Sequence, residues 1–538
     1  MAISTQPTPI VSSPTGLSRA TSRWTLWRAA LSGLLLIGAF PHLDWGWLAW
    51  FALIPFLTTF PHRRLRFAFT HGAILGLVFF GGLLYWIAVF AAHAAGPALG
   101  GIAWVGAAVA LGMSLAVFAA GCQALARTGN PWAWRLGVPA LWTLLEWGRQ
   151  FGILGAGWGD LAYTQYRALP LLQQTKLTGV WGLSFLIVLI NVALAEWVCA
   201  LFHRGWTWTA GLGRTARLGT SSPCVGGLVA VILFLAALVF GVWTLRTERL
   251  QPTFVAAALQ GDIDQNVMVT PAYVQRVMET FGRQGREAAM GGARLTVWPE
   301  TAIPGYLRDD AFFRQAIIAD AVANRQAMIV GARERDDASG KDRNAVFLVT
   351  LQGQITQSYA KQKLVPFGEY VPLRAQFPIL EKLHLTIYDM APGSGRQPLM
   401  EAGTPVGKVG AAVCYDSTYG QITRDQVARG ANVLIVATDD TWFGRTAAAR
   451  QHAAMSAVRA AETDRYLVRA AATGISQVIA PTGQVLSEAG LFRQAVVSAP
   501  IESRATRTLY VRAGDWFVAV CAALFAVLWG VSVRGRRA

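Results

Sequence analysis

What most limits this chain is a succession of long apolar runs, each near the roughly 20 residues that a helix needs to cross a bilayer. Eight can be read, over about 26–41, 45–61, 67–92, 98–125, 137–153, 176–201, 226–246 and 515–533. The first two are short and are separated only by the turn Pro41-His42-Leu43-Asp44. Between the seventh and eighth runs lies a long segment of ordinary polarity, 247–514. Of the 538 residues, 54% are hydrophobic and only 14% charged, whereas a soluble domain carries about 25% charged residues. The sequence therefore predicts a multi-pass α-helical membrane domain of about eight spans plus one extramembrane α/β domain. Its parts are a tail over 1–22, a bundle of about seven spans over 23–246, the domain over 247–514, and a last span with a basic end over 515–538.

The net charge of +17 follows this division. Arg19, Arg23 and Arg28 open the first run; Arg63, Arg64 and Arg66 follow the second; Arg127 and Arg135 lie between the fourth and fifth. Arg204, Arg214 and Arg217 lie between the sixth and seventh, and Arg534, Arg536 and Arg537 end the chain. All fall on one side of an eight-span bundle. The positive-inside rule then puts both termini in the cytoplasm and 247–514 outside it. With no zinc-finger spacing or recognition-helix pattern, a nucleic-acid partner is not expected. Residues 1–22, rich in Ser, Thr and Pro, read as a disordered tail. No small-residue cleavage site follows the first apolar run, so a signal peptide is not expected. In the fifth run Glu146 and Arg149 stand three apart on one helix face. Intramembrane charges usually face protein or water, so they are expected to form an internal ion pair or to guide a lipid headgroup.

Within 247–514 the pattern changes. Thr253–Leu259, Leu295–Trp298, Ala327–Gly331, Ala345–Leu351, Val409–Cys414 and Val433–Ala437 read as strands; Pro271–Ala289, Asp310–Asn324 and His452–Glu462 read as helices. Such alternation predicts two sheets, or one large sheet, covered by helices. Chemistry then gathers at strand ends, where three residues stand out. Glu300 follows a strand in Trp298-Pro299-Glu300, Lys361 opens the run to Pro372, and Cys414 ends a strand. Of the five cysteines (122, 199, 224, 414 and 521) it is the only one in this segment. One thiol makes no disulfide framework, and no Cys-x-x-Cys pair suggests a metal. A carboxylate can take the thiol's proton, and an ammonium can hold the oxyanion formed on attack at a carbonyl. Whether the three meet in space is not settled by sequence.

At these residues the chain resembles the nitrilase superfamily, and more closely the apolipoprotein N-acyltransferases. The shared motifs include Trp47-Leu48-Ala49-Trp50, Leu84-Tyr85-Trp86-Ile87, Leu145-Glu146-Trp147, Gly179-Val180-Trp181-Gly182, Trp298-Pro299-Glu300, Pro366-Phe367-Gly368-Glu369, Val413-Cys414-Tyr415, Trp442-Phe443-Gly444 and Gln451-His452. The resemblance implies a nitrilase-like αββα sandwich on a bundle of eight membrane helices in a bacterial inner membrane, with the domain on the periplasmic side. It implies Cys414 as nucleophile, Glu300 as its general base and Lys361 as oxyanion stabiliser. Strand alternation alone leaves Lys361 and Lys363 open, since residues two apart share a face; the family's spacing selects Lys361. Glu369, Tyr415, Asp416, Trp442 and Phe443 are implied to line the substrate pocket. The implied reaction moves an acyl chain from a membrane phospholipid through a Cys414 thioester to the amino terminus of a diacylglyceryl-cysteine apolipoprotein. No cofactor or metal is implied.

The chain also departs from the family's pattern. Asp262 stands where Asn is usual, Met268-Val269 where a Lys-Trp pair is usual, Asp416 for Glu, Asp439 for Asn, and Ala471-Ala472 for Thr-Asn. These positions are expected around the pocket and its gate. They leave open a membrane-anchored amidase, in which water resolves the thioester, a paralogue with another acceptor, or a lipid-binding member without activity.

Overall fold

A computed structural model describes residues 17–60, 64–152, 155–202, 223–265, 267–374, 376–377, 386 and 388–534. Residues 1–16 of the expected tail, and Arg63, Arg204, Arg214, Arg217, Arg536 and Arg537 of the charge pattern, lie outside them. The first helix, Leu17–Ala39, already begins within the stretch read as tail.

Among the described residues four helices are long and apolar enough to cross a membrane: Leu65–Leu83, Pro97–Ala126, Val180–Phe202 and Pro223–Thr247. Shorter apolar segments cover Thr25–Ala39, Gly46–Leu57 and Trp516–Val531, so about eight full spans is more than length and composition clearly support. The expected span over 45–61 is a 3-10 turn, Gly46–Trp50, and a short helix, Ile54–Leu57. Gly46 sits so close to the Thr164 carbonyl that a Cβ would lie 2.2 Å from its oxygen, and Pro55 has no N–H for a continuous helix. The run over 67–92 divides into Leu65–Leu83 and Trp86–Ala95. Outward-facing Val231, Val239 and Trp243 on Pro223–Thr247 are exposed, the apolar surface that marks a membrane contact.

Glu146 and Arg149 do not form the expected salt bridge with each other. The helix Pro131–Gly148 ends before Arg149, whose guanidinium turns into the next loop and meets Asp160 at 3.1 Å. Glu146 instead accepts from Trp142 Nε1 (2.7 Å) and Leu161 N (2.9 Å).

Among the described residues the segment after Thr247 has twelve strands: β1 (Phe254–Gln260), β2 (Ala293–Val297), β3 (Ala327–Arg335), β4 (Asp342–Val349), β5 (Ile355–Ala360), β6 (Met400–Glu401), β7 (Lys408–Val413), β8 (Val433–Thr438), β9 (Leu467–Ala471), β10 (Ser476–Ile479), β11 (Val485–Ala489) and β12 (Ala495–Ile501). They form two six-stranded sheets, β12-β1-β2-β3-β4-β5 and β11-β10-β9-β8-β7-β6. Period-two alternation gives each central strand two apolar faces. On β8, Val433, Ile435 and Ala437 join Leu295, Val297 and Ile329 in the core between the sheets, while Leu434 and Val436 pack under helices outside. Pro271–Met290 and Ala311–Asn324 cover the first sheet; Gly420–Ala428 and Ala448–Thr463 lie against the second. The result is a nitrilase-like α-β-β-α sandwich.

The sandwich is locked onto the helices by buried polar contacts. Lys176 reaches Asp464 (2.6 Å) and Glu248 (3.1 Å), and Arg504 meets the same two carboxylates. Gln451, on Ala448–Thr463, accepts from Trp158 Nε1 (2.8 Å) and donates to the carbonyls of Pro41 and Leu83.

Candidate active site

β2, β7 and β8 are parallel strands of the two sheets, and their C-terminal ends meet at one cavity. Glu300 lies three residues beyond β2, Cys414 directly follows β7, and Asp439 directly follows β8. Lys361 follows β5. Glu300, Lys361 and Cys414 all line this cavity, of about 190 Å³.

The polar floor is tightly bonded. Lys361 Nζ lies 3.1 Å from Glu300 Oε1 and 2.9 Å from Glu369 Oε1. Asn344, on β4, donates to both carboxylates, at 2.5 and 3.3 Å. Glu300 Oε2 accepts from Asp439 N at 2.6 Å, and Glu369 Oε2 from Val365 N at 2.8 Å. Lys363 takes no part: its ammonium sits over the Tyr419 ring, 5.1 Å from the centroid. The strand ends at Ala360, so the rule that residues two apart share a face no longer applies there.

Burial raises the Glu300 carboxyl, Glu369 adding to the rise and Lys361 opposing it. Burial would lower Lys361, but the charges of Cys414, Glu300 and Glu369 outweigh it and raise the ammonium well above its usual value. Burial raises the Cys414 thiol well above its usual value; Glu300 adds to this and Lys361 opposes it. The resting site thus keeps its thiol neutral and its lysine charged. A substrate carbonyl beside both could draw the proton toward a carboxylate as negative charge shifts from sulfur to oxygen.

Cys414 has φ +48°, the left-handed region that a side chain rarely adopts. Its turn is held by a buried network. Cys414's carbonyl accepts from Ser417 Oγ (2.7 Å) and lies 3.2 Å from His452 Nε2; His452 Nδ1 is 3.0 Å from Asp440 Oδ1, and Asp440 Oδ2 pairs with Arg469 (2.8 Å).

Much of the remaining wall is aromatic, and both halves of the chain supply it. Trp86 packs on Trp158 and on Phe443, with ring centroids 4.9 Å apart in each case, and Phe90 lies 6.1 Å from Trp442. Glu369, Tyr415, Trp442 and Phe443 line the cavity. Asp416 does not, which corrects the expectation for it. It is fully buried and accepts from Tyr359 OH (2.9 Å), Lys363 N (2.7 Å) and Gln362 N (3.2 Å), so it clasps the Lys361 loop to the cysteine turn. Of the positions that depart from the family, Val269 and Asp439 line the cavity, whereas Asp262, Met268, Ala471 and Ala472 do not. Asn344, which residue chemistry did not single out, stands just before the expected strand Ala345–Leu351 and carries no other sequence signal.

A sandwich of this topology, with a thiol, an ammonium and carboxylates at one set of strand ends, defines a carbon-nitrogen hydrolase domain, and residues 255–510 match that family. Residues 32–193 match the apolipoprotein N-acyltransferase N-terminal domain. The apolipoprotein N-acyltransferase of Geobacter metallireducens is 34% identical, covering 94% of this chain and 95% of its own. Those of Gloeobacter violaceus (32%; 95% and 95%) and Chromobacterium violaceum (31%; 98% and 98%) are similar over comparable lengths. The chain belongs to the apolipoprotein N-acyltransferase family and is a membrane-bound acyltransferase.

Proposed function

We propose that this protein transfers a fatty acyl chain from a membrane phospholipid, through a thioester on Cys414, to the N-terminal amino group of a diacylglyceryl-cysteine apolipoprotein. Glu300 takes the thiol proton as Sγ attacks the ester carbonyl. Lys361 holds the resulting oxyanion. Collapse breaks the ester C–O bond, and the lysophospholipid alkoxide takes the proton from Glu300. In the second half the amine attacks the thioester, the C–N bond forms, the C–S bond breaks, and the amine proton passes through Glu300 to sulfur.

One observation carries this reading: the Glu300–Lys361–Cys414 floor is walled by Trp86, Phe90 and Trp158 from the membrane half. An apolar wall continuous with the membrane helices suits acyl chains and limits water, which would hydrolyse a thioester. Glu369 supports Lys361, and Tyr415, Trp442 and Phe443 bound the acyl path. In this reading the four long helices, the three shorter apolar segments and the helix Pro131–Gly148 make a bundle of eight crossing segments. The domain over 247–514 faces the periplasm of a bacterial inner membrane, with both termini cytoplasmic.

The test uses phospholipid labelled in its sn-1 chain, followed by a diacylglyceryl lipopeptide with a free amino terminus. Label should appear on wild-type but not Cys414→Ala protein and move to the peptide as a hydroxylamine-resistant amide. Release as free fatty acid would instead identify an amidase-type hydrolase. Absence of label on Cys414 would refute both.

A further inference from the structure

The cavity contains more carboxylates than cations. Glu300 and Glu369 share the one ammonium of Lys361. Arg333, the other cation on the wall, lies over the Tyr388 ring (5.5 Å) and turns toward Asp342 at 3.8 Å. Asp439 has no ion pair among the described residues. It is 6% exposed, and its Oδ1 is occupied by the backbone N–H (3.0 Å) and the hydroxyl of Thr441. No donor among the described residues reaches Oδ2.

Asp439 lines the cavity, and its Oδ2 is not among the sealed unpartnered atoms of the described residues, so it is an oxygen left for a donor that enters the cavity. Burial, opposed by Thr441 and reinforced by Glu300, pushes the Asp439 carboxyl up to about 7. Glu300 and Asp440 act on it electrostatically, and it acts in turn on Tyr273 and Tyr388. What this wall lacks is a small group that brings positive charge and N–H donors together.

We propose that Asp439 is a docking point for a primary ammonium group entering the cavity, with Oδ2 accepting one of its N–H bonds. The identity of the bearer rests on the acyl-transfer reading. It is either the α-amino group of the acceptor or an ethanolamine headgroup on the donor. In the first case the ammonium gives one proton to the Asp439 carboxylate, and the freed lone pair attacks the Cys414 thioester. The C–N bond forms, the C–S bond breaks, and the amine's second proton passes to sulfur. In the second case no proton moves, and Asp439 selects among donors.

The test measures binding to Cys414→Ala protein in detergent, where no acyl transfer intervenes. The probes are two pairs: a diacylglyceryl lipopeptide with a free amino terminus against its N-acetylated form, and phosphatidylethanolamine against phosphatidylglycerol. In one pair the ammonium-bearing member should bind about tenfold tighter, the scale of one charged hydrogen bond. Adding Asp439→Asn should bring that ratio to about one. This substitution retains the backbone N–H used by Glu300 and an Oδ1 acceptor for Thr441, so it removes charge with little change of shape. The pair that responds identifies the bearer. Equal binding within both pairs, or a preference that survives Asp439→Asn, overturns the proposal. Failure of the acyl-transfer reading is seen separately, as absence of label on wild-type Cys414.

Discussion

The backbone N–H of Asp439 donates to Glu300 Oε2 across 2.6 Å, joining the end of β8 in one sheet to the loop after β2 in the other. The proposed base is therefore oriented by main chain rather than by a replaceable side chain. Its other oxygen depends on side chains, Lys361 and Asn344, and substitutions can reach it there.

Asn344→Ala should slow formation of the acyl-enzyme about 10- to 100-fold, because two buried carboxylates each lose a donor worth roughly 1.5–3 kcal/mol as a charged hydrogen bond. Single-turnover release of lysophospholipid measures this. A rate within twofold of wild type would mean that Asn344 only fills space.

Lys361→Met should cost about 10²–10³ in the same step, the usual price of losing one oxyanion donor. Glu369→Gln should cost less, since Glu300 still holds the ammonium. If both variants lose activity equally, Glu369 acts on substrate and not only through Lys361.

Cys414→Gly should be inactive yet more stable than Cys414→Ala. At φ +48° a Cβ is strained and glycine is not, which predicts a gain of about 1 kcal/mol for glycine over alanine. Thermal unfolding of the two variants in the same detergent decides it; a lower midpoint for the glycine variant would contradict the claim.

Burial would raise Asp440, but Arg469 and His452 outweigh it and bring it from 3.8 to about 2. A depressed acid stabilises the fold above its unfolded value and loses that contribution as pH falls from about 4 to about 2. The amount is roughly 2–3 kcal/mol. Asp440→Asn should flatten this acid limb. It should also destabilise the protein at neutral pH by about 3–5 kcal/mol, because Arg469 becomes a buried unpaired charge. Unfolding midpoints between pH 2 and 8 test both parts, and an unchanged acid limb would rule out Asp440 as its source.

Gln451→Leu should loosen the two halves of the chain, leaving Trp158 Nε1 and the Pro41 and Leu83 carbonyls without this partner at a cost of about 1–3 kcal/mol. Faster hydrogen exchange in 83–90 and 158–165 would report it. Unchanged exchange there would show that the ionic contacts of Lys176 and Arg504 suffice.

The sequence made the sandwich legible where strands are buried on both faces. The expected Val433–Ala437 and Leu295–Trp298 coincide closely with β8 and β2 because short runs rich in β-branched residues occur there. Strands β5, β6 and β9 to β12 escaped notice: β5 carries Thr356, Gln357 and Ser358, β6 is two residues long, β9 carries Arg469 in its middle, and β11 carries Ser487 and Glu488, so none of these four forms such a run. In the membrane half, hydropathy located apolar mass but not breaks. Gly46 and Pro55 interrupt one expected span through a close backbone approach and a missing N–H, which windowed composition does not register. At the site, Glu300, Lys361 and Cys414 were visible as reactive residue types at strand ends. Asp416 was misplaced because a carboxylate beside a nucleophile reads like a pocket group, whereas backbone N–H groups of a distant loop consume it. Asn344 was invisible for the opposite reason, being an amide whose importance comes only from two carboxylates brought to it by the fold.

β1 and β12 are antiparallel neighbours, with Phe254 opposite Ile501 and Gln260 opposite Ala495. The ribosome delivers these partners almost 250 residues apart. At about 5–20 residues per second, β1 is left with one hydrogen-bonding edge open for tens of seconds while the rest of the domain is made. An open edge is a template for wrong pairing. Completion of the first sheet therefore waits on a strand that emerges just ahead of the apolar helix Trp516–Arg534, so the domain and that helix reach their mature state nearly together.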